Sequence, residues 1–203
     1  MSAPVTRVYI EETSRSAFAV ALEWPGWCRR AKTADLAVDS LMDYQDRYAD
    51  VVSSPFDPGT IKVVATLTGN ATTDFGAPDA RGPWDVKPLT RAEASRYLGL
   101  VEDCWRYFDQ VVTTAPSALR KGPRGGGRDR DAVVDHVREA ERAYSSRTGA
   151  KLPPRTPWPE IREAIIEQLS QGSTNPKWPT RYAIRRLAWH VTDHAWEIQD
   201  RSN

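Results

Sequence analysis

The chain is poor in the residues that carry the most recognisable chemistry. Its 203 residues include two cysteines, two methionines and three histidines. Cys28 and Cys104 stand far apart, so they make neither a CxxC metal knuckle nor a disulfide framework. An excess of one charge sign is also lacking, with 28 basic against 27 acidic side chains and a net charge of +1. Binding to a phosphate backbone usually shows as a basic excess, so no nucleic-acid partner is expected. No apolar run approaches the ~20 residues of a membrane span, and "MSAPVTRVYIEE" holds no apolar stretch of signal-peptide length. The expectation is a cytoplasmic protein with no membrane partner.

What is present is aromatic and punctuated. Eight Trp, seven Tyr and four Phe can build much of a core and can line a pocket. Mean hydropathy is −0.58, so the surface is very polar. Two regions differ in character. Over residues 1–80, "TRVYIEE" and "SAFAVALEW" are β-rich runs joined by a polar turn at residues 13–15, which reads as a hairpin. "PGW" marks a turn. Thr33 then suits the N-cap of a helix carrying Leu36, Ala37, Leu41, Tyr44 and Tyr48 on one face. "IKVVATLTG" is a further strand. Strand, strand, helix, strand predicts a small α+β domain with the helix on one face of the sheet.

The second region, residues 88–203, follows the Gly/Pro-rich "DFGAPDARGPWDVKP". Thr90 and Glu93 form a capping-box pattern that opens a helix running to Thr114, with Leu98, Val101, Trp105, Phe108 and Val112 along it. A second helix is predicted from Asp131 to Arg147, with Val133, Val137, Ala140 and Tyr144 on one stripe. "PEIREAIIEQLSQG" starts with Pro and stops at Gly, as helices prefer. A fourth helix, with Thr180 as its N-cap, runs to Arg201. Four amphipathic helices of similar length predict an all-α four-helix bundle.

The fourth helix contains "AWHVTDHAWE". On a wheel of ~100° per residue, His194 falls about 40° from His190, and Glu197 about 20° to its other side. Leu187 and Ala183 share that arc, so both imidazoles face inward. His136 lies among Val133, Val137 and Ala140 on the inward stripe of the second helix. Two readings stand at this point: hydrogen-bonded core histidines, or three ligands of one metal ion held between facing helices. Val, Thr and Asp separate His190 from His194, so this is not the H-E-x-x-H of a metalloprotease. Glu197 is a candidate for orienting a ligand or moving a proton, against a plain salt bridge at the helix end. Asp193 is either beside the ligands or solvated. Trp189 and Trp196 point away and pack between elements. Trp105 and Cys104 read as core or pocket lining, and Cys104 has no base in sequence to make it a nucleophile.

"GGRDRDAVVDHVREAERAYSSRTG" and "IRRLAWHVTDHAWEIQDR" resemble the DinB-like superfamily of four-helix bundles. The resemblance covers residues 88–203 and implies a metal held by three histidines, matched by His136, His190 and His194. It implies a divalent metal, Zn or Ni ahead of Fe. It also implies a metal-dependent S-transferase or isomerase acting on a small-molecule substrate with a low-molecular-weight thiol such as mycothiol or bacillithiol. Characterised members of the superfamily do this chemistry, while others have no known activity or have lost the metal.

"FAVALEWPGWCRRAKTADLAVDSLMDY" resembles the HicB-like fold, a small sheet with one helix. Members act as antitoxins that cover a small toxin. The alternative function is therefore a non-enzymatic interaction or regulatory module, with a small protein partner or a second copy bound through residues 1–80 and the bundle as scaffold. "KGPRGGGRDRD" lacks the order of a phosphate loop and follows no strand. It ends near a helix N-terminus with basic residues across 120–130, which suits an anionic substrate or a thiol carboxylate.

Overall fold

The computed structural model describes residues 3–122 and 126–202. Pro123, Arg124 and Gly125 of the glycine loop lie outside the described residues. The N-terminal region is a small mixed sheet with helices, and the C-terminal region is helical.

β1 (Val5–Glu12) and β2 (Ala17–Ala21) form the expected hairpin, with Val8 opposite Ala21 and Glu12 opposite Ala17. Its turn closes through Thr13, whose amide donates to the Ser16 carbonyl at 2.9 Å. A short strand that the sequence reading passes over, β3 (Cys28–Ala31), pairs antiparallel with β2. α1 (Ala34–Asp43) starts at Thr33, whose hydroxyl accepts from the Leu36 amide at 3.4 Å. α2 (Gln45–Ala49) continues it. β4 (Thr60–Thr68) then runs parallel to β1, with a register shift between Val8 and Tyr9, giving the order β3-β2-β1-β4. Leu36 departs from its expected place: it is half exposed, because the buried stripe of α1 centres on Ala37 and Leu41.

Both faces of the sheet are covered over β2, which is why it is buried along its whole length and does not alternate in burial. Val8, Ile10, Ala17 and Ala19 face the large core beneath α1. Tyr9, Phe18, Val20 and Cys28 face the other way and meet Trp189. The segment after α3 (Ala71–Phe75) crosses this second face. Buried Glu11 holds it there by accepting the amides of Asp79 and Ala80 at 2.9 and 2.8 Å.

The C-terminal helices are α4 (Arg91–Thr114), α5 (Arg130–Thr148), α6 (Trp158–Gln171) and α7 (Thr180–Arg201). α4 opens with the expected capping box, Thr90 with Glu93. α7 does not open as expected: its N-cap is Pro179, and Thr180 is already helical. The Thr180 hydroxyl accepts the Ser173 amide at 2.9 Å instead, closing the preceding loop. α4 packs along α7, α7 along α5, α5 against α6 and α6 against α4.

One apolar cluster runs from the sheet into these helices. The "PGW" turn is its joint. Gly26 has φ +100°, and a Cβ there would meet Cys104 Sγ at 3.0 Å and Thr192 Oγ1 at 3.2 Å, so α4 and α7 close down on bare backbone. Trp27 is fully buried and donates its Nε1–H to the Leu41 carbonyl at 2.9 Å. The Tyr48 hydroxyl donates to the Pro25 carbonyl at 2.7 Å. No helix among the described residues is long and apolar enough to cross a membrane.

Candidate metal centre

α5 and α7 carry the three histidines toward one another. α5 is set by Val133 and Val137, both fully buried, which turn His136 toward α7. α7 is set by its contacts on two sides. Trp189 stands edge-on to Phe18 of the sheet with ring centroids 6.1 Å apart, and Trp196 packs on Tyr44 at 5.0 Å. With those rings fixed, the helical repeat leaves His190 and His194 facing α5. Tyr144 closes the site from above, edge-on to the His190 ring at 5.6 Å.

The ligand-capable nitrogens of His136, His190 and His194 all lie within 4.8 Å of one another, and the three could hold one metal ion. His190 Nε2 and His136 Nε2 are 3.3 Å apart. That separation is long for a nitrogen–nitrogen hydrogen bond. It is close to the edge of a tetrahedron about an ion with ~2.0–2.1 Å bonds to imidazole. His190 is buried, while His136 and His194 keep partial access to solvent.

The electrostatics favour neutral donors. Burial pushes the His190 imidazolium well below the ordinary histidine range, with the neighbouring imidazoles of His194 and His136 and the cations Arg186 and Arg128 adding to it. His136 is lowered by burial, then by His194 and Arg128, against the pull of Glu197. Glu197 is itself held low, first by its hydrogen bond with His194. At 2.8 Å from His194 Nδ1, its carboxylate accepts that N–H and so fixes the tautomer whose Nε2 lone pair is free. The donor set therefore fits a divalent borderline cation: three imidazoles, two of them kept neutral by burial and the third oriented by a carboxylate.

The other residues singled out in the sequence fall elsewhere. Asp193 turns toward the sheet and pairs with Arg29 at 3.2 Å, away from the histidines. Cys104 is fully buried, and burial pushes its thiol up to about 12, which suits core and not nucleophile. Trp105 lines an open groove of about 570 Å³ between α4 and α6, together with Arg106, Asp109 and Arg162. Arg201 was missed by the sequence reading. It donates Nη1 to Glu197 at 2.6 Å, and the only sequence signal for it is the i,i+4 spacing to a carboxylate.

Compared with protein-family models, with curated proteins and with solved structures, the chain matches none.

Proposed function

We propose that this chain is a metal-binding protein of DinB-like type, its four C-terminal helices forming a four-helix bundle around a three-histidine centre. The function proposed is a metal-dependent S-transferase or isomerase that acts on a small molecule with a low-molecular-weight thiol. The convergence of three imidazole nitrogens from two helices within 4.8 Å carries this reading. The ring of contacts α4–α7–α5–α6–α4 supports the bundle.

A divalent ion bound there would supply the positive charge that keeps a thiol in its nucleophilic thiolate form. The protein's part is positional. Burial keeps His190 and His136 neutral and available as donors. Glu197 holds the Nδ1–H of His194 and aims its other nitrogen inward. Arg128 and Arg186 place positive charge beside the triad, which favours an anionic thiol or substrate.

Elemental analysis of the purified protein tests the centre. About one equivalent of divalent metal is expected, and His190→Ala and His136→Ala should each lose it. Metal retained in both variants overturns the three-histidine site. With metal established, turnover of electrophiles in the presence of thiols separates an enzyme from a scaffold.

One observation favours the second reading, partner binding through the N-terminal region. β4 is an edge strand with Val63 and Val64 about half exposed, the kind of edge another strand can extend. Light scattering across a concentration series distinguishes a dimer through this edge from a monomer.

A further inference from the structure

The described stems of the glycine loop, residues 119–122 and 126–129, both reach the last turn of α7, and one side chain holds them there. Arg201 spreads its guanidinium over three acceptors. Nη1 donates to Glu197 Oε1 at 2.6 Å, Nε to the Arg120 carbonyl at 2.9 Å, and Nη2 to the Arg128 carbonyl at 2.6 Å. The first stem answers in kind: the Arg120 amide donates to the Arg201 carbonyl at 2.8 Å, and Arg120 Nη2 to the Asp200 carbonyl at 2.8 Å. On the far side, the other oxygen of Glu197 accepts from His194 Nδ1 at 2.8 Å.

A guanidinium is a planar fork with donor directions fixed relative to one another. A shift of either stem therefore tilts the fork against Glu197, and a shift of Glu197 frees Nδ1 of His194. The second stem is shaped to let the fork in. Gly127 has φ +118°, and a Cβ at that position would stand 2.7 Å from Arg201 Nη2.

We infer that Arg201 is a positioning residue that couples both loop stems to the tautomer and orientation of His194. The effect of this coupling on metal affinity rests on the metal reading above; the coupling itself does not. Coupling is reciprocal, so whatever fixes His194 also steadies the stems.

Two variants of the full chain test it, Arg201→Gln and Gly127→Ala. The second disturbs the same contact from the loop side and leaves α7 intact, so it decides the matter if the first fails to fold. Side-chain ¹⁵N spectra of the metal-free protein should show His194 as one tautomer, protonated at Nδ1, in the wild type and as a mixture in both variants. Amide exchange at Arg120 and Gly122 should quicken by about tenfold, the scale of one lost hydrogen bond. Zinc affinity should fall by about tenfold, the lower end for an outer contact of a metal ligand. Folded variants with the wild-type tautomer and unchanged exchange overturn the coupling. Wild-type zinc affinity in both variants overturns its consequence for the metal. A wild type that takes up no zinc overturns the metal reading alone, because the tautomer and exchange results still decide whether Arg201 links loop to histidine.

Discussion

Two seams between the C-terminal helices bury polar groups, and they balance them differently. Between α4, α5 and α6, Glu141 is almost wholly buried and accepts from Trp158 Nε1 at 2.5 Å and from Arg162 Nε at 3.1 Å. Arg162 also reaches Asp109 at 2.7 Å. Negative and positive charge meet there, although Glu141 Oε1 and Arg162 Nη2 are left without hydrogen-bond partners. Between α5 and α7, the rings of His136, His190 and His194 meet, and among the described residues the acid that touches them, Glu197, does so from the outside. Among the described residues, no carboxylate or cation sits between their converging nitrogens, where a metal ion would fit. A buried polar cluster is no sign of function by itself; one whose donors or acceptors all have the same sense asks for a ligand.

The largest effect expected from breaking this contrast is on the charged seam. Glu141→Ala leaves Arg162 partly buried with only Asp109, and removing one partner of a buried pair costs about 3–5 kcal/mol. Urea denaturation should show a loss near 3 kcal/mol, because Asp109 remains, with metal content unchanged. A loss under about 1 kcal/mol would mean the seam is held by packing alone.

Glu197→Gln should do the reverse. It keeps an oxygen for the His194 N–H but removes the charge, so metal affinity should drop by about tenfold or more. Stability of the metal-free protein should change by less than about 1 kcal/mol. Competition with a chromophoric chelator measures the first, and urea denaturation the second.

The smallest effect is reserved for a charge-balanced pair at the surface. Glu93 is held down to about 2, first by the Thr90 amide and then by Arg181. A lowered carboxyl contributes stability above its unfolded value of ~4.3 and loses it as pH falls through its folded value. Glu93→Gln should therefore destabilise by about 1 kcal/mol or less at neutral pH. Its stability curve should converge on that of the wild type as pH falls toward about 2. A gap that persists at that pH would assign the effect to helix propensity and not to charge.

The long helices and the hairpin were legible because their signals are local. Apolar periodicity, the Thr90–Glu93 box and the glycines after α5 and α6 act within a few residues. β3 was not legible. Cys-Arg-Arg-Ala has no strand pattern, and only pairing with β2 makes it one. The apolar spacing of α5 marks Val133, Val137, Ala140 and Tyr144, but Glu141 is buried where Ala140 is only partly so. A glutamate reads as surface until Trp158 and Arg162 arrive from another helix to pair with it. The histidine pair on α7 showed in its spacing, and His136 in its stripe. Arg201 did not, because two of its three acceptors are backbone carbonyls of a loop that folds back from more than seventy residues earlier.

The two indoles of α7 have a consequence for the register of the site. Trp189 is seated on the sheet and Trp196 on Tyr44. Together they set the rotation of α7 about its own axis, as a key is set by its wards. His190 and His194 sit between these two teeth. One residue inserted between Trp189 and His190 would swing everything beyond it by ~100°. Either Trp189 would leave the sheet, or the histidines and Trp196 would together turn off α5 and Tyr44, and no single rotation would keep all three seats. The N-terminal sheet contributes no ligand to the centre, yet it dictates the direction in which the centre faces.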